Sequence, residues 1–505
     1  MLIHLNVRSN LNQDKFYYVA CPAKLVGVNQ MVFHGTKSKI VCTIGPASKP
    51  KAILEKMVEA GMDVARLNLS HGDHKSARET FEILRSIDDT LPIMFDLQGP
   101  KIRIGELEGR VDLTTGNEFV LSTDEFVGDE SRVSVSHKEL PQDIKVGNII
   151  ALNDGIVRLK VKAIKKKDVV TEVVHGGPIS SRKGVNIPGI KLSCTVPTED
   201  DLHDLDLAAE LEPDLIALSF VTDCDDVKKL REVITSNGPA DAWIVSKIEH
   251  TLAIKNFDEI LRDSDGVMVA RGDLGIEVPI EEVPILQRDL IRRANISAKP
   301  VIVATHMLES MTEEMIPTRA EVSDVAHAIM ERADAVMLSG ETAVGKHPIR
   351  AVEMMERIVR RTEETITRVD PLDITSPRKM IVEIIGNMTY NAVTLIPDKI
   401  GGIISATRTG YTARWISKFR PPTHIFAVTP DKRVSRRLRL LWGVYPIRYE
   451  QDLDSVDDIA KQSTNLVYDE GLIGEDQDIV FTSGVKMIPG RTNVVGVFHV
   501  KDLVK

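Results

Sequence analysis

Short apolar runs and amphipathic helical stretches alternate along this chain, and that rhythm confines the fold to a few α/β architectures. The apolar runs stand at 39–43, 64–69, 92–96, 214–220, 243–248, 266–270, 301–304 and 335–338. Between them, apolar residues recur three and four apart, as in Ile53, Leu54, Met57 and Val58, with Gly61 as a stop. Ser48 is the expected cap of that first helix and Pro50 falls in its first turn. Eight such units match a TIM (β/α)8 barrel of roughly 250 residues; a doubly wound sheet is the alternative. The barrel is favoured because a polar residue closes nearly every run: Asn68, Asp96, Lys247, Glu249, Asp273, Thr305 and Glu341. Parallel barrel strands gather such residues on one face, where barrel chemistry sits.

The rhythm lapses once. From 104 to 192 the chain is rich in Val, Thr and Gly with period-two stretches, and Asn153-Asp154-Gly155 between two apolar runs signals a hairpin. The expected organisation is therefore a barrel from 35–103 and 193–369, an inserted all-β lid module at 104–192, and a C-terminal α/β domain at 370–505. Residues 1–34 read as an extension, with none of the marks of a secretory signal and with Met31 as an alternative start.

Composition narrows the function classes. With 43% hydrophobic and 27% charged residues and no apolar run near the ~20 that a membrane span needs, the chain reads as a soluble globular protein. A net charge of -10 argues against a nucleic-acid partner, and the local basic cluster at 432–439 reads as a solvated helix face. Cys21, Cys42, Cys194 and Cys224 have no metal-site spacing, which suits a reducing cytoplasm.

The chemistry concentrates in two segments, Ile244-Val-Ser-Lys-Ile-Glu249 and Met268-Val-Ala-Arg-Gly-Asp-Leu-Gly-Ile-Glu277. Glu249 and Asp273 are hard oxygen ligands suited to Mg2+ or Mn2+, and Lys247 is a point charge able to follow a phosphoryl group or an enolate oxygen. The plain alternatives are an ion pair between Glu249 and Arg271, and a Lys247 that only neutralises Glu249. Arg66 and Arg103 offer forked phosphate donors, Gly272 lets backbone approach a ligand, and the Thr305 hydroxyl could join a proton path. There is no P-loop, so phosphate binding would rest on scattered arginines and lysines. The residues alone describe a metal-dependent barrel enzyme acting on a small phosphorylated or carboxylated anion.

Nine segments, among them TKSKIVCTIGPAS, QGPKIRIG, KGVNIPG, SKIE, ARGDLG, ATHMLESM, PTRAEVSDVA and LSGETAVGKHP, make the chain resemble the pyruvate kinase family. The resemblance implies phosphate transfer from phosphoenolpyruvate to ADP, giving pyruvate and ATP at the end of glycolysis. It implies Glu249 and Asp273 as metal ligands, Lys247, Arg66, Gly272, Asp273 and Thr305 at the substrate, and Asn68, Ser70, His71, Arg103 and Lys183 toward the nucleotide. A homotetramer and a phosphorylated effector in the C-terminal domain, at Ser405-Ala-Thr-Arg-Thr-Gly-Tyr-Thr412, belong to the same implication. Asn68, Ser70, Asp96 and Leu97 match potassium ligands of the family. Potassium-dependent members, however, carry glutamate where this chain has Lys101. With Leu97, Gln98 and Ile104, that lysine resembles a branch in which its ammonium replaces the ion, so Mg2+ would be needed and K+ would not. Two readings compete: another barrel enzyme of the pyruvate and phosphoenolpyruvate class, and a regulatory protein that keeps only the fold.

Overall fold

In the computed structural model, residues 33–70, 73–366, 381–449, 455–484 and 492–504 are described. Residues 1–32 of the expected extension, His71 and the break at 370–377 lie outside them. Eight parallel strands close into a barrel: Lys39–Ile44, Val64–Asn68, Ile93–Asp96, Leu215–Leu218, Trp243–Ile248, Gly266–Ala270, Val301–Ala304 and Ala335–Leu338. Lys39–Ile44 pairs with both Val64–Asn68 and Ala335–Leu338, which joins the first strand to the last and removes every edge.

Period-two geometry sorts each strand's side chains. Val41, Val64, Met94, Ala217, Val245, Met268 and Ile302 belong to the cluster that fills the barrel interior, while Ile244 and Ile248 pack outward with the helices. Arg66, Asp96 and Lys247 each stand two residues beyond an interior residue (Val64, Met94 and Val245), so the same face carries them to the C-terminal mouth.

The first helix differs from expectation at its start. It spans Lys51–Ala60 with Pro50 at the cap and no side-chain capping bond. Ser48 serves the preceding turn instead, its Oγ accepting from the Gly45 amide at 3.0 Å. The expected stop stands: Gly61 has φ 123, a conformation open to glycine.

The insertion is a β module with its own core. A six-stranded sheet holds the expected hairpin, Ile149–Leu152 antiparallel to Val157–Lys165, and Asn153 and Asp154 take the left-handed conformations that a tight turn needs. One short helix, Leu140–Asp143, interrupts the strands. The C-terminal domain is a five-stranded sheet, four strands parallel and Val494–His499 antiparallel at one edge.

The basic cluster corrects the sequence reading. It forms the helix Lys432–Leu438; Lys432 is exposed and Arg433 half-buried, but the cations pair with barrel carboxylates across a seam instead of standing alone in water. Arg433 meets Glu212 at 2.5 Å, Arg436 meets Asp89 at 2.5 Å and the buried Arg439 meets Asp88 at 2.7 Å. Leu440, next in the chain, is fully buried within the cluster that fills the barrel interior, so the C-terminal domain plugs the barrel's lower mouth.

The strongest clasp of that seam is Arg420, whose Nη2 donates to Asp334 at 2.8 Å, to Asn295 at 2.7 Å and to the Arg332 carbonyl at 2.9 Å. Arg420 and Asp334 are each 2% exposed. Removing one partner strands the other charge, so Arg420→Ala is expected to destabilise by about 3–5 kcal/mol, read by urea unfolding. A change below about 1 kcal/mol would show that water replaces the guanidinium.

Candidate active site

Four charges from three strands meet at the barrel's C-terminal mouth. The Lys247 ammonium lies 2.9 Å from Glu249 Oε1 and 3.3 Å from Asp96 Oδ1, and it donates to Ser219 Oγ at 2.7 Å. Arg66 Nε donates to Asp96 Oδ2 at 2.6 Å, and its Nη1 donates to Thr43 Oγ1 at 2.7 Å. Asp96 is 1% and Glu249 2% exposed, so these charges have left water and need one another.

The electrostatics follow from that enclosure. Burial alone would lower the Lys247 ammonium, but Asp96 and Glu249 outweigh it and hold the group above the usual lysine range. Burial would raise Asp96, yet Arg66 and Lys247 prevail and keep its carboxyl low. Glu249 is pushed up by burial, Lys247 opposing and Asp273 adding repulsion. The second oxygen of Glu249 accepts from the Phe220 amide at 2.8 Å, in a turn where Phe220 has φ 56.

Asp273 sits in the first turn of the helix Arg271–Glu277, which begins where the strand Gly266–Ala270 ends. Its carboxylate makes no hydrogen bond or ion pair with another described residue, although it lies near enough to Glu249 to repel it. Asp273, without a described partner and in the cleft wall, close beside the paired Glu249, fits a hard divalent cation that takes one or two protein ligands and fills its shell with water and substrate oxygens. Among the described residues no cluster of three His, Cys, Asp or Glu side chains stands in position to hold a metal by itself.

Thr305 and Gly272 form the opposite wall. Thr305 Oγ1 accepts from the Gly272 amide at 2.8 Å and donates to the Ala304 carbonyl at 2.6 Å. Thr305 and His306 both hold left-handed backbone, φ 68 and 54. Arg271 anchors this strained corner, with Nη2 to the Thr305 carbonyl at 2.6 Å and Nη1 to Asp324 at 2.6 Å. The alternative pairing of Arg271 with Glu249 is therefore not the one the chain adopts, whereas Lys247 does pair with Glu249.

Toward the module, Ser70 Oγ donates to Asn68 Oδ1 at 2.8 Å, and Asn68 stands beside Asp96 in register. Arg103 bridges antiparallel to Gly184, next to Lys183, and its Nη1 donates to the Arg182 carbonyl at 3.1 Å. These two cations lie on the module and make no described contact with the Lys247 cluster. Lys101 is exposed in the wall of an open cleft between module and barrel mouth, with Phe220, His250 and Asp273 among its lining. Asp96 has Arg66, Lys247 and Ser219 as partners, not Lys101. Leu97 is buried, and its carbonyl accepts from Ser219 Oγ at 2.7 Å.

Sequence reasoning missed Thr43, Ser219 and Asp324. Ser219 follows an apolar run as the other site residues do, and that position was its one available signal. Glu341, read as a site position, is structural: buried, it accepts from the Leu308 amide at 3.0 Å and the Ser339 amide at 2.6 Å.

A Cβ built on Gly272 would meet nothing nearer than Thr305 Oγ1 at 3.4 Å, so neighbouring protein does not demand glycine there.

The family model described as pyruvate kinase, barrel domain, matches residues 35–352, and that described as pyruvate kinase, alpha/beta domain, matches 385–498. A pyruvate kinase of Bacillus licheniformis is 41% identical over 478 residues, 93% of this chain and 81% of its own length. A pyruvate kinase of Thermococcus litoralis is 42% identical over 459 residues, 89% of this chain and 95% of its own length. The crystal structure of a pyruvate kinase from Cryptosporidium parvum superposes with a TM-score of 0.86 at 35% identity, covering 92% of this chain and 96% of that one.

Proposed function

The chain belongs to the pyruvate kinase family, and from that membership we propose roles for the residues at the barrel mouth. The activity is phosphate transfer from phosphoenolpyruvate to ADP, giving pyruvate and ATP, and Mg2+ is the family's general cofactor. The observation that carries the assignment of roles is the Lys247 ammonium, held between Asp96 and Glu249 at a mouth open to the cleft.

Glu249 and Asp273 hold the divalent ion, which when bound withdraws charge from the phosphoryl oxygens. Lys247 neutralises the transferring phosphoryl group and the enolate oxygen left behind; it needs no reorganisation because its counter-charges already fix it. Arg66, oriented by Asp96 and Thr43, grips phosphate. The Gly272 backbone approaches the substrate, and Thr305 lines the side from which the enolate takes its proton. Asn68, Ser70 and His71, with Lys183 from the module and Arg103 at the hinge, contact the nucleotide. Closure of the module over the mouth excludes water during transfer. The chemistry is mostly positioning and charge stabilisation.

Lys101 replaces potassium in this reading. Its ammonium makes no hydrogen bond or ion pair with a described residue and lines the cleft that holds Asp273, which supports a charge free to serve a ligand. Asn68, Ser70, Asp96 and Leu97 then have no ion to hold.

In the C-terminal domain, a phosphorylated effector binds at 405–412. Ser405 pairs in register with Thr482, and the buried hydroxyls of Ser405, Thr482 and Ser483 have no hydrogen-bond partner among the described residues. Against it, Thr407 Oγ1 already accepts from the Gly410 amide at 3.0 Å, as a plain capped turn would. A homotetramer is supported by the helix Ile381–Leu395, which exposes Ile381, Ile384, Met388 and Leu395 beside the edge strand Val494–His499. Calorimetric titration with sugar phosphates and AMP, and sedimentation, test these two readings. Heat lost in Thr407→Ala and a four-chain mass support them; no heat or a monomer rejects them.

Pyruvate formation from phosphoenolpyruvate and ADP with Mg2+ is expected at equal rates in potassium and tetramethylammonium. Dependence on potassium would reject the role of Lys101, and Lys101→Glu is expected to create that dependence. Lys247→Met is expected to lower kcat by about 10²–10³-fold with the fold retained by circular dichroism, and a loss under about tenfold would remove Lys247 from the chemistry.

A further inference from the structure

The cleft has a second group of reactive side chains. At the module's exit, Cys194 Sγ lies 3.6 Å from His137 Nδ1, and His137 Nε2 lies 2.6 Å from Asp143 Oδ2. The Asp143 carboxylate is itself fixed: it accepts from the Ser193 amide at 2.9 Å and from the Ser193 hydroxyl. Nucleophile, base and orienting carboxylate thus stand in the order that activates a thiol. The exposed Glu139 carboxylate is the other charged group at the ring, 3.5 Å from Nδ1.

Three features separate this cysteine from its neighbours. Cys194 is half-buried and lines the cleft, whereas Cys42 is fully buried with its thiol pushed up by burial. Cys224 has Lys228 Nζ at 3.3 Å, but the Asp225 and Glu259 carboxylates lie 3.8 and 4.0 Å from its sulfur, and among the described residues no histidine contacts it. Burial would lower His137, but its contacts with Cys194 and Asp143 hold it up at about 9, so the ring is cationic near neutrality. A cation beside a sulfur in a partly open site is the setting in which thiols react.

We propose that Cys194, His137 and Asp143 form a thiol-exchange site in the wall of the cleft, reactive toward low-molecular-weight disulfides. The proton of the Cys194 thiol rests on His137 Nδ1, which is what makes the ring a cation, and the Cys194 sulfur attacks one sulfur of the disulfide. A mixed disulfide forms, the original S–S bond breaks, and the leaving thiolate takes the proton back from Nδ1. The balance is one protein thiol and one disulfide giving one mixed disulfide and one small thiol. Lys101, in the same cavity wall, suits a disulfide that carries carboxylates. The adduct then fills space between module and barrel mouth and hinders turnover; only this last consequence rests on reading the mouth as the kinase site.

Oxidised glutathione is the probe, added to the full-length protein and followed by peptide mapping. Cys194 is expected to gain the adduct about tenfold or more faster than Cys224 in the same molecules. His137→Asn is expected to slow Cys194 about tenfold and leave Cys224 unchanged. Equal labelling of the two cysteines in the unmodified sequence overturns the site without recourse to any variant. An unchanged Cys194 rate in a folded His137→Asn protein overturns the role of the histidine. Labelled protein is expected to lose most phosphate transfer and recover it with dithiothreitol, while Cys194→Ser keeps its rate in oxidised glutathione. Full labelling with unchanged activity overturns the link to the cleft. Mapping requires no phosphate-transfer assay, so its failure is distinct from failure of the kinase assignment.

Discussion

The Lys247 ammonium, set between the carboxylates of Asp96 and Glu249 with Arg66 on the far side of Asp96, is the interaction around which the catalytic face is organised. Asp96, Glu249 and Arg66 are buried and Lys247 is largely so, and a buried charge alone would cost several kcal/mol. They come from strands whose positions in the chain differ by up to 183 residues, counted from Arg66 to Glu249. Barrel closure brings them together: the strand bearing Asp96 pairs on one side with that bearing Arg66 and on the other with Leu215–Leu218, which leads to the strand of Lys247. Charge satisfaction and strand order therefore support one another, and a slip of one residue in any of these strands would turn a charge from the mouth into the helix layer.

The same economy appears at the lower mouth, where carboxylates of the barrel loops face cations of the C-terminal domain. Asp334 accepts from Arg420, from the Trp442 amide and from the Val301 amide, so one buried carboxylate ties a barrel strand to two parts of the other domain. Arg439 does the same with Asp88. Buried ion pairs add specificity of alignment more readily than net stability, and here they set the seam that Leu440 seals by filling the barrel interior.

Between barrel and module lies the cleft, and its walls are chemically unequal. The barrel side presents Asp273 with no described partner and a helix head; the module side presents Lys101, Cys194 and aliphatic residues such as Ile187 and Ile190. The strained corner at Thr305 and His306, held by Arg271, shows where backbone energy is stored, on the wall nearest the reacting groups. Rigid anchors thus stand on the barrel, and the more exposed cations stand on the module.

Much of this was legible in the chain. The apolar runs at 243–248 and 266–270 matched the observed strands to the residue, and the polar residues closing the runs located Lys247, Glu249 and Asp273 at one mouth. The Asn153-Asp154-Gly155 turn was equally plain, because left-handed backbone restricts residue choice locally. What could not be read was pairing. The basic stretch at 432–439 looks like a solvated face because its carboxylate partners lie some 200 to 350 positions earlier, as in Arg433 with Glu212 and Arg439 with Asp88. Arg271 chose Asp324, and Lys247 recruited Ser219, for the same reason. Periodicity is a property of neighbours in the chain, so the sequence by itself determined the elements, their faces and the chemistry each carries. Which charge neutralises which is decided by distances that exist only after the barrel closes and the C-terminal domain docks, and that was left to the tertiary structure.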